Sequence, residues 1–212
     1  GNIVFPGFTA PKLLWVARNE PGIFANIRWV LLPKDYLRHW LTGEHASEMS
    51  DAAGTSWLDT GKRAWDSRLL EATGLGIEHM PNLVEGTDVT GTLRPELAAR
   101  WGLQPGVVVA GGAGDNAASA CGIGAVAPGT AFVSLGTSGV LFASNERYLP
   151  NPDSAVHAFC HAVPNTWHQM GVILSATDSI NWLSNLTGKD ASVLTGALGS
   201  ELKAPGPVTF LP

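Results

Sequence analysis

Cysteine is nearly missing from this 212-residue chain: Cys121 and Cys160 are its only two. That is too few for the disulfide framework of a secreted scaffold, and a reducing cytoplasm is the simplest setting. Charge is scarce too, at 15% of residues, and it leans acidic, with a formal net charge of -5. That balance argues against a nucleic-acid-binding surface, which needs a basic patch to meet phosphates. No apolar run reaches the ~18 residues that cross a bilayer. No charged n-region precedes a short apolar segment of the signal-peptide kind. Hydrophobic residues nevertheless make up 45%, so the chain can bury a core and is not compositionally disordered. The length suits one good domain or two small ones. The chain begins at Gly1 without an initiator methionine and reaches Phe210-Leu211-Pro212 inside what reads as an apolar strand. Natural domains usually begin and end in polar chain, so a fragment is expected.

The first hundred residues read as mostly helical. Thr9 is an N-cap candidate for a helix over Lys12 to Glu20, with Pro11 in its first turn and Pro21 as its stop. A second helix is expected from Gly22 to Leu32. A third runs from Lys34 to Thr42 behind Pro33, with Tyr36, Leu37, Trp40 and Leu41 on one stripe and Gly43 closing it. Further helices are expected at Arg63 to Thr73, ending at Gly74, and at Arg94 to Trp101, closed by Gly102. The eight tryptophans, spread through this helical part, read as core residues.

From Gly106 the texture changes. Gly106 to Ala110 is a β-branched apolar run that suits a strand buried on both faces. It leads through Gly111-Gly112-Ala113-Gly114-Asp115-Asn116 into a small-residue helix, Ala117 to Gly122. Strands follow at Thr130 to Leu135 and Val140 to Ser144, then at Val156 to His161 and Thr166 to Leu174. A helix over Asp178 to Leu186 ends near Gly188. Gly122 to Gly129, rich in glycine and containing Pro128, is the best candidate for a domain junction.

Two glycine-rich segments could carry chemistry. Asp115 follows a strand and opens a helix, so it reads first as an N-cap. The same position also faces a cleft in open α/β sheets, where a carboxylate can take a proton from a substrate hydroxyl and Asn116 can hold that substrate. Gly136-Thr137-Ser138-Gly139 reads as a tight hairpin turn, or as a loop whose amides and hydroxyls cradle a phosphate. A Walker A loop is absent from the sequence. Gly112-x-Gly114-x-x-Ala117 nearly fits a dinucleotide fingerprint, but Asp115 would set a negative charge against the pyrophosphate. The acidic residue expected about 20 positions on is also missing. His157, Cys160, His161 and His168 suggest zinc only superficially: strand alternation separates Cys160 from His157 and His161, and no tight cysteine knuckle accompanies them.

Gly7-x-Thr9-x-x-Lys12-Leu13-x-Trp15-Val16-x-Arg18-Asn19, Leu31 to Leu37, Leu41 to Glu44, Ser50 to Thr55, Gly112 to Ala118, Ser134 to Gly139 and His161 to Pro164 occur in this order, and together they resemble the FGGY carbohydrate kinases. Leu31 to Leu37 and Leu41 to Glu44 are similar to the xylulose-phosphorylating members. The resemblance implies an α/β, actin/hexokinase-like (ribonuclease-H-like) two-lobed sugar kinase. Residues 1–124 would form the later part of the first lobe, on the sugar side, and residues 125–212 the start of the second. Asp115 would be the catalytic base and Asn116 a sugar contact, with Gly136, Thr137, Ser138 and Gly139 at the ATP phosphates. The implied reaction is ATP-dependent phosphorylation of D-xylulose with Mg²⁺, in the cytoplasm, by an enzyme that could be a homodimer. Ribulose, gluconate and glycerol are the alternative substrates, and a non-catalytic binding module is the alternative class. The family's aspartate-x-glycine-threonine phosphate loop does not occur here, and its adenine site would lie beyond Pro212. No metal ligand is expected in this chain, and the isolated 212 residues are expected to be inactive.

Overall fold

The computed structural model describes residues 1–201 together with Ala204, Gly206 and Pro207. The apolar strand expected at Phe210 to Pro212 lies outside the described residues. The chain divides into two compact units, one of Gly1–Ala131 with Phe142–Met170, the other of Phe132–Leu141 with the chain from Gly171 onward.

In the first unit, α1 spans Thr9–Asn19 with Pro11 inside its first turn. Thr9 is the first helical residue rather than the cap; Phe8 holds the cap position and makes no side-chain bond there. Helix α2, Pro21–Phe24, is a single turn, so the helix expected through Leu32 stops early. Pro33 disfavours helical backbone at Leu32. The segment before it instead finds tertiary partners: Val30 N–H donates to the His79 carbonyl at 2.9 Å. The Val30 side chain packs on the core of Ala10, Trp57, Leu70, Leu75 and Met80. Burying a leucine such as Leu70 contributes about 1.5–3 kcal/mol. Helix α3 spans Pro33–Thr42 and ends at Gly43, whose φ of 90° is the left-handed conformation that glycine adopts without penalty. Its buried face is not the expected apolar stripe. Asp35 and Arg38 are buried, whereas Tyr36, Leu37 and Trp40 are exposed. Leu41 alone of the four packs inward, on Leu93, Leu97 and Ala98.

The chain continues through β1 (Ala46–Glu48), the short α4 (Met49–Ala52), β2 (Leu58–Asp59), β3 (Ala64–Trp65) and α5 (Ser67–Glu71). The helix expected from Arg63 therefore begins four residues late. Arg63 has a φ of 56°, outside the right-handed helical region, and Ala64–Trp65 pairs with Leu58–Asp59 as a ribbon. Asp66 then caps α5 by accepting from the Arg68 and Leu69 amides. Strand β4 (Asn82–Val84) lies parallel to β1 in the register Ala46↔Asn82 to Glu48↔Val84. Next come β5 (Val89–Thr92), α6 (Pro95–Arg100), β6 (Val108–Ala110) and α7 (Asp115–Gly122). Strand β6 pairs antiparallel with β5 in a two-stranded sheet, and Val107 and Val108 are exposed. The expected burial on both faces is not met: Val108 and Ala110 are exposed and Val109 is only half-buried in this two-stranded ribbon.

Four further strands follow: β7 (Ala131–Leu135), β8 (Gly139–Asn145), β9 (His157–Cys160) and β10 (Trp167–Ile173). Within the first unit, β9 and β10 pair antiparallel from Trp167↔Cys160 to Met170↔His157. In the second unit, Phe132–Leu135 and Gly139–Leu141 form a hairpin, followed by α8 (Thr177–Thr187), closed by Gly188, and α9 (Ala191–Gly196). The tryptophans also depart from expectation. Trp57 is 1% exposed, but Trp15, Trp29, Trp40, Trp101 and Trp182 lie at the surface. Trp57 can be buried because its indole N–H donates to Thr73 Oγ1 at 2.9 Å.

Candidate functional site

Asp115 is the first residue of α7, directly behind Gly114, which holds the cap position in extended conformation. Asp115 is thus not the cap itself. Its carboxylate is exposed, and Oδ1 accepts from the Asn116 backbone N–H at 2.8 Å and from Asn116 Nδ2 at 3.2 Å. The loop that delivers it needs glycine. A Cβ on Gly111 would collide with the Glu85 carbonyl, and Gly112 has a φ of 76°. Close approach lets Gly111 N–H donate to the Asp88 carbonyl and Gly112 N–H to the Gly86 carbonyl, each at 2.9 Å.

The structure brings Asp115 and Asn116 together around a cavity of about 70 Å³ shared with Ser50, Asp51, Phe159, His168 and Met170. Ser50 and Asp51 lie in one of the stretches that carry the family resemblance, yet sequence reasoning gave them no role. Burial pushes the Asp51 carboxyl up from its ordinary value; the Lys34 ammonium, 3.3 Å away, pulls it back, and Glu48 adds to the rise. Lys34 responds to the same group. Burial works against its charge, but Glu48, Asp35 and Asp51 together outweigh that and raise its pKa. The signal that could have found this cluster is the grouping of Lys34, Asp35 and Arg38 on the face of α3 opposite Tyr36 and Trp40.

Gly136, Thr137, Ser138 and Gly139 form the β7–β8 turn in the second unit. Gly136 N–H donates to the Ser138 carbonyl at 2.9 Å. The Thr137 carbonyl accepts from Ala176 N–H at 2.6 Å, and the Gly136 carbonyl accepts from the Thr177 amide and hydroxyl at 3.1 and 2.7 Å. Gly139 is buried, and a Cβ there would lie 2.9 Å from Ile173 Cγ2 and 3.0 Å from Ala176 Cβ. The carbonyls of the turn are committed inward. Thr137 and Ser138 are exposed, and among the described residues nothing accepts from their amides or hydroxyls. A turn with unspent exposed donors fits an anion such as a phosphate.

His157, His161 and His168 pack with aromatic rings. His168 stacks on Phe142 with centroids 4.2 Å apart, His161 meets the same ring edge-on at 5.5 Å, and His157 stacks on Phe159 at 5.3 Å. Burial drives the His168 pKa down to about 3, with His161 adding to the fall. Burial pushes the Cys160 thiol up to about 12, and its Sγ lies 3.6 Å from the Thr60 carbonyl. A roomier cavity of about 420 Å³, lined by Gly1, Phe8, Asp59, Arg68 and Tyr148 among others, holds none of the expected site residues. Its carboxylates are already engaged, Asp59 with Lys62 and Asp66 with Arg68. Among the described residues no helix is long and apolar enough to cross a membrane.

Residues 1–122 match the FGGY family of carbohydrate kinases, N-terminal domain. Over its whole length the chain is 54% identical to the xylulose kinases of Klebsiella pneumoniae and of Escherichia coli, covering 44% of each. A crystal structure described as a "xyloylose kinase" from Brucella ovis superposes with a TM-score of 0.92 at 69% identity, over 99% of this chain and 43% of that one. A Plasmodium falciparum glycerol kinase with ADP matches with a TM-score of 0.78 at 18% identity, a likeness of fold alone. These neighbours share the actin/hexokinase-like sugar-kinase fold, of which the present chain is a part. The chain spans under half the length of the relatives it matches.

Proposed function

Because the chain belongs to the FGGY family of carbohydrate kinases, we propose that the protein carrying it transfers the γ-phosphoryl group of ATP to the 5-hydroxyl of D-xylulose. The products are D-xylulose 5-phosphate and ADP. The names of the relatives at 54% and 69% identity support this choice of sugar. One observation carries the catalytic assignment: Asp115 stands exposed at the first position of α7, directly after a loop that needs glycine at Gly111 for its approach to the Glu85 carbonyl and at Gly112 for its φ of 76°.

In this reading Asn116 holds the sugar and Asp115 accepts the proton of its 5-hydroxyl. As that oxygen bonds to the γ-phosphorus, the bond from the γ-phosphorus to the β–γ bridging oxygen breaks and ADP leaves. Phosphoryl transfer asks a protein mainly to position its reactants and offset charge. The unspent amides and hydroxyls of Thr137 and Ser138 are suited to the second task, and Gly136 and Gly139 give the turn its shape. Mg²⁺ would arrive with the nucleotide and neutralise phosphate charge; no residue of this chain is assigned to it. We place the boundary between the lobes at Gly122–Gly129, with residues 1–124 on the sugar side and 125–212 on the phosphate side. The family match ending at residue 122 supports this placement, as do Gly124 and Gly129, with φ of 78° and 83°.

The test is Asp115→Asn in the full-length enzyme, assayed for ADP release with D-xylulose, ribulose, gluconate and glycerol. Removing a general base costs on the order of 10²–10⁴-fold in rate, and that loss is expected on D-xylulose with little change in ATP affinity. Turnover at near parental rate would remove Asp115 from the role of base. Faster turnover of another sugar by the parent enzyme would replace D-xylulose as the substrate.

A further inference from the structure

A layer of buried charge lies beneath the loop that carries Asp115, and the phosphoryl-transfer reading leaves it without a task. Lys34 Nζ is 2.7 Å from Asp35 Oδ1 and 3.2 Å from Glu48 Oε1. Arg38 Nη1 lies 2.9 Å from Asp35 Oδ1 and donates to the Ala46 carbonyl at 2.6 Å. Glu48 is 0% exposed and Arg38 4%. Taking this much charge out of water costs free energy that an apolar layer of the same volume would not, so stability by itself is a weak reason for the cluster.

Besides capping α4, where Glu48 Oε1 accepts from the Asp51 amide at 2.9 Å, the cluster reaches the two ends of the Gly111–Gly114 loop. At the first end, Arg38 Nη2 donates to the Gly111 carbonyl. At the second, Glu48 Oε2 accepts from the Ser50 amide at 2.6 Å and from the Ser50 hydroxyl at 2.7 Å. With its proton committed to Glu48, Ser50 Oγ accepts from Gly114 N–H at 2.9 Å. Gly114 has no side chain with which to hold the start of α7, so the contact comes from another element. The next residue is Asp115.

We infer that Arg38, and Ser50 oriented by Glu48, are positioning residues that clamp the two ends of the Gly111–Gly114 loop and so set where the Asp115 carboxylate stands. None of the three is asked to touch the sugar. The inference rests on the reading of Asp115 as the base. Misplacing a reacting group by about 1 Å can cost on the order of 10²-fold in rate, so a clamp of this kind has a measurable task.

The test uses full-length enzyme carrying Ser50→Ala, with Ser50→Thr and Asp115→Asn alongside. Steady-state kinetics and amide hydrogen exchange at Gly114 are the readouts. Ser50→Ala is expected to lower kcat by about tenfold or more with the KM for ATP unchanged. The Gly114 amide, having lost its acceptor, should exchange faster, and Ser50→Thr, which keeps the hydroxyl, should recover most of the rate. A Ser50→Ala enzyme within about twofold of the parental kcat, beside an inactive Asp115→Asn, overturns the clamp. If Asp115→Asn itself keeps near parental turnover, the base reading falls; the clamp then stands or falls on Gly114 exchange, and unaltered exchange overturns it.

Discussion

Asp115 and His168 line the same small cavity but differ in what surrounds each ionisable group. Asp115 is exposed, with Asn116 as its hydrogen-bond partner, and this suits a group that must meet a substrate. His168 is 2% exposed and stacked on Phe142, so charging it would place a cation among rings. Its pKa falls from an ordinary 6.5 to about 3. Below pH 6.5 the unfolded chain takes up a proton that the folded chain refuses, so stability is lost as pH falls toward the folded value. From this residue the loss reaches at most about 1.4 kcal/mol per pH unit, or about 2 kcal/mol between pH 6.5 and 5. Urea unfolding at pH 7 and pH 5 should show a smaller acid loss in His168→Phe, which keeps a stacked ring. An equal loss would mean that His168 is not the group being charged. His157 and His161 shift in the same direction through burial, so part of the slope should survive the substitution.

At the scale of elements, α3 and the β7–β8 turn show how one secondary structure can serve unexpected ends. Helix α3 turns Asp35 and Arg38 inward and leaves Tyr36, Leu37 and Trp40 outside, because the layer beneath it is polar backbone and carboxylate. The β7–β8 turn is tied by its carbonyls to Ala176 and Thr177. Its outward groups are therefore held in place without being consumed, which is what a preorganised donor set requires. Thr137→Val removes one hydroxyl while keeping the backbone shape. In the full-length enzyme it should raise the KM for ATP or lower kcat by roughly tenfold, the worth of one hydrogen bond to a charged group. Steady-state kinetics with varied ATP would check this. Unchanged ATP dependence and rate would remove Thr137 from the phosphate site.

On the scale of the whole chain, buried residues are concentrated in the first unit. The core around Trp57 and Leu70, the charged layer under α3 and the histidine–phenylalanine cluster all belong to it. In the second unit, α8 and α9 contain no buried residue among those described, and Leu135 and Leu174 are 71% and 84% exposed. Few buried apolar contacts mean low-energy local opening. In hydrogen exchange on the 212-residue chain, amides of α8 and α9 should exchange well before those of Glu48–Leu58. Equal protection in both would contradict this distribution of stability.

Local chemistry alone determined much of this protein. Pro33 and Gly43 bounded α3, glycines punctuated the helices after Gly74, Gly102 and Gly188, and β-branched runs marked the later strands. The family itself was legible from motif order, because positions such as Gly111, against the Glu85 carbonyl, and Gly139, against the Ile173 and Ala176 side chains, leave little room for a Cβ and so leave a readable pattern. Three things depended on tertiary structure. Ile27–Leu32 gave up helix for a backbone partner in His79 and a place against Trp57 and Leu70. Ala64–Trp65 became ribbon against Leu58–Asp59, and Asp66 supplied the cap of the helix that follows. The charged layer of Lys34, Asp35, Arg38 and Glu48 stayed hidden because hydrophobic periodicity assigns apolar residues to the core. A buried charge is tolerated only where distant backbone and side chains satisfy it, and no local pattern records those partners.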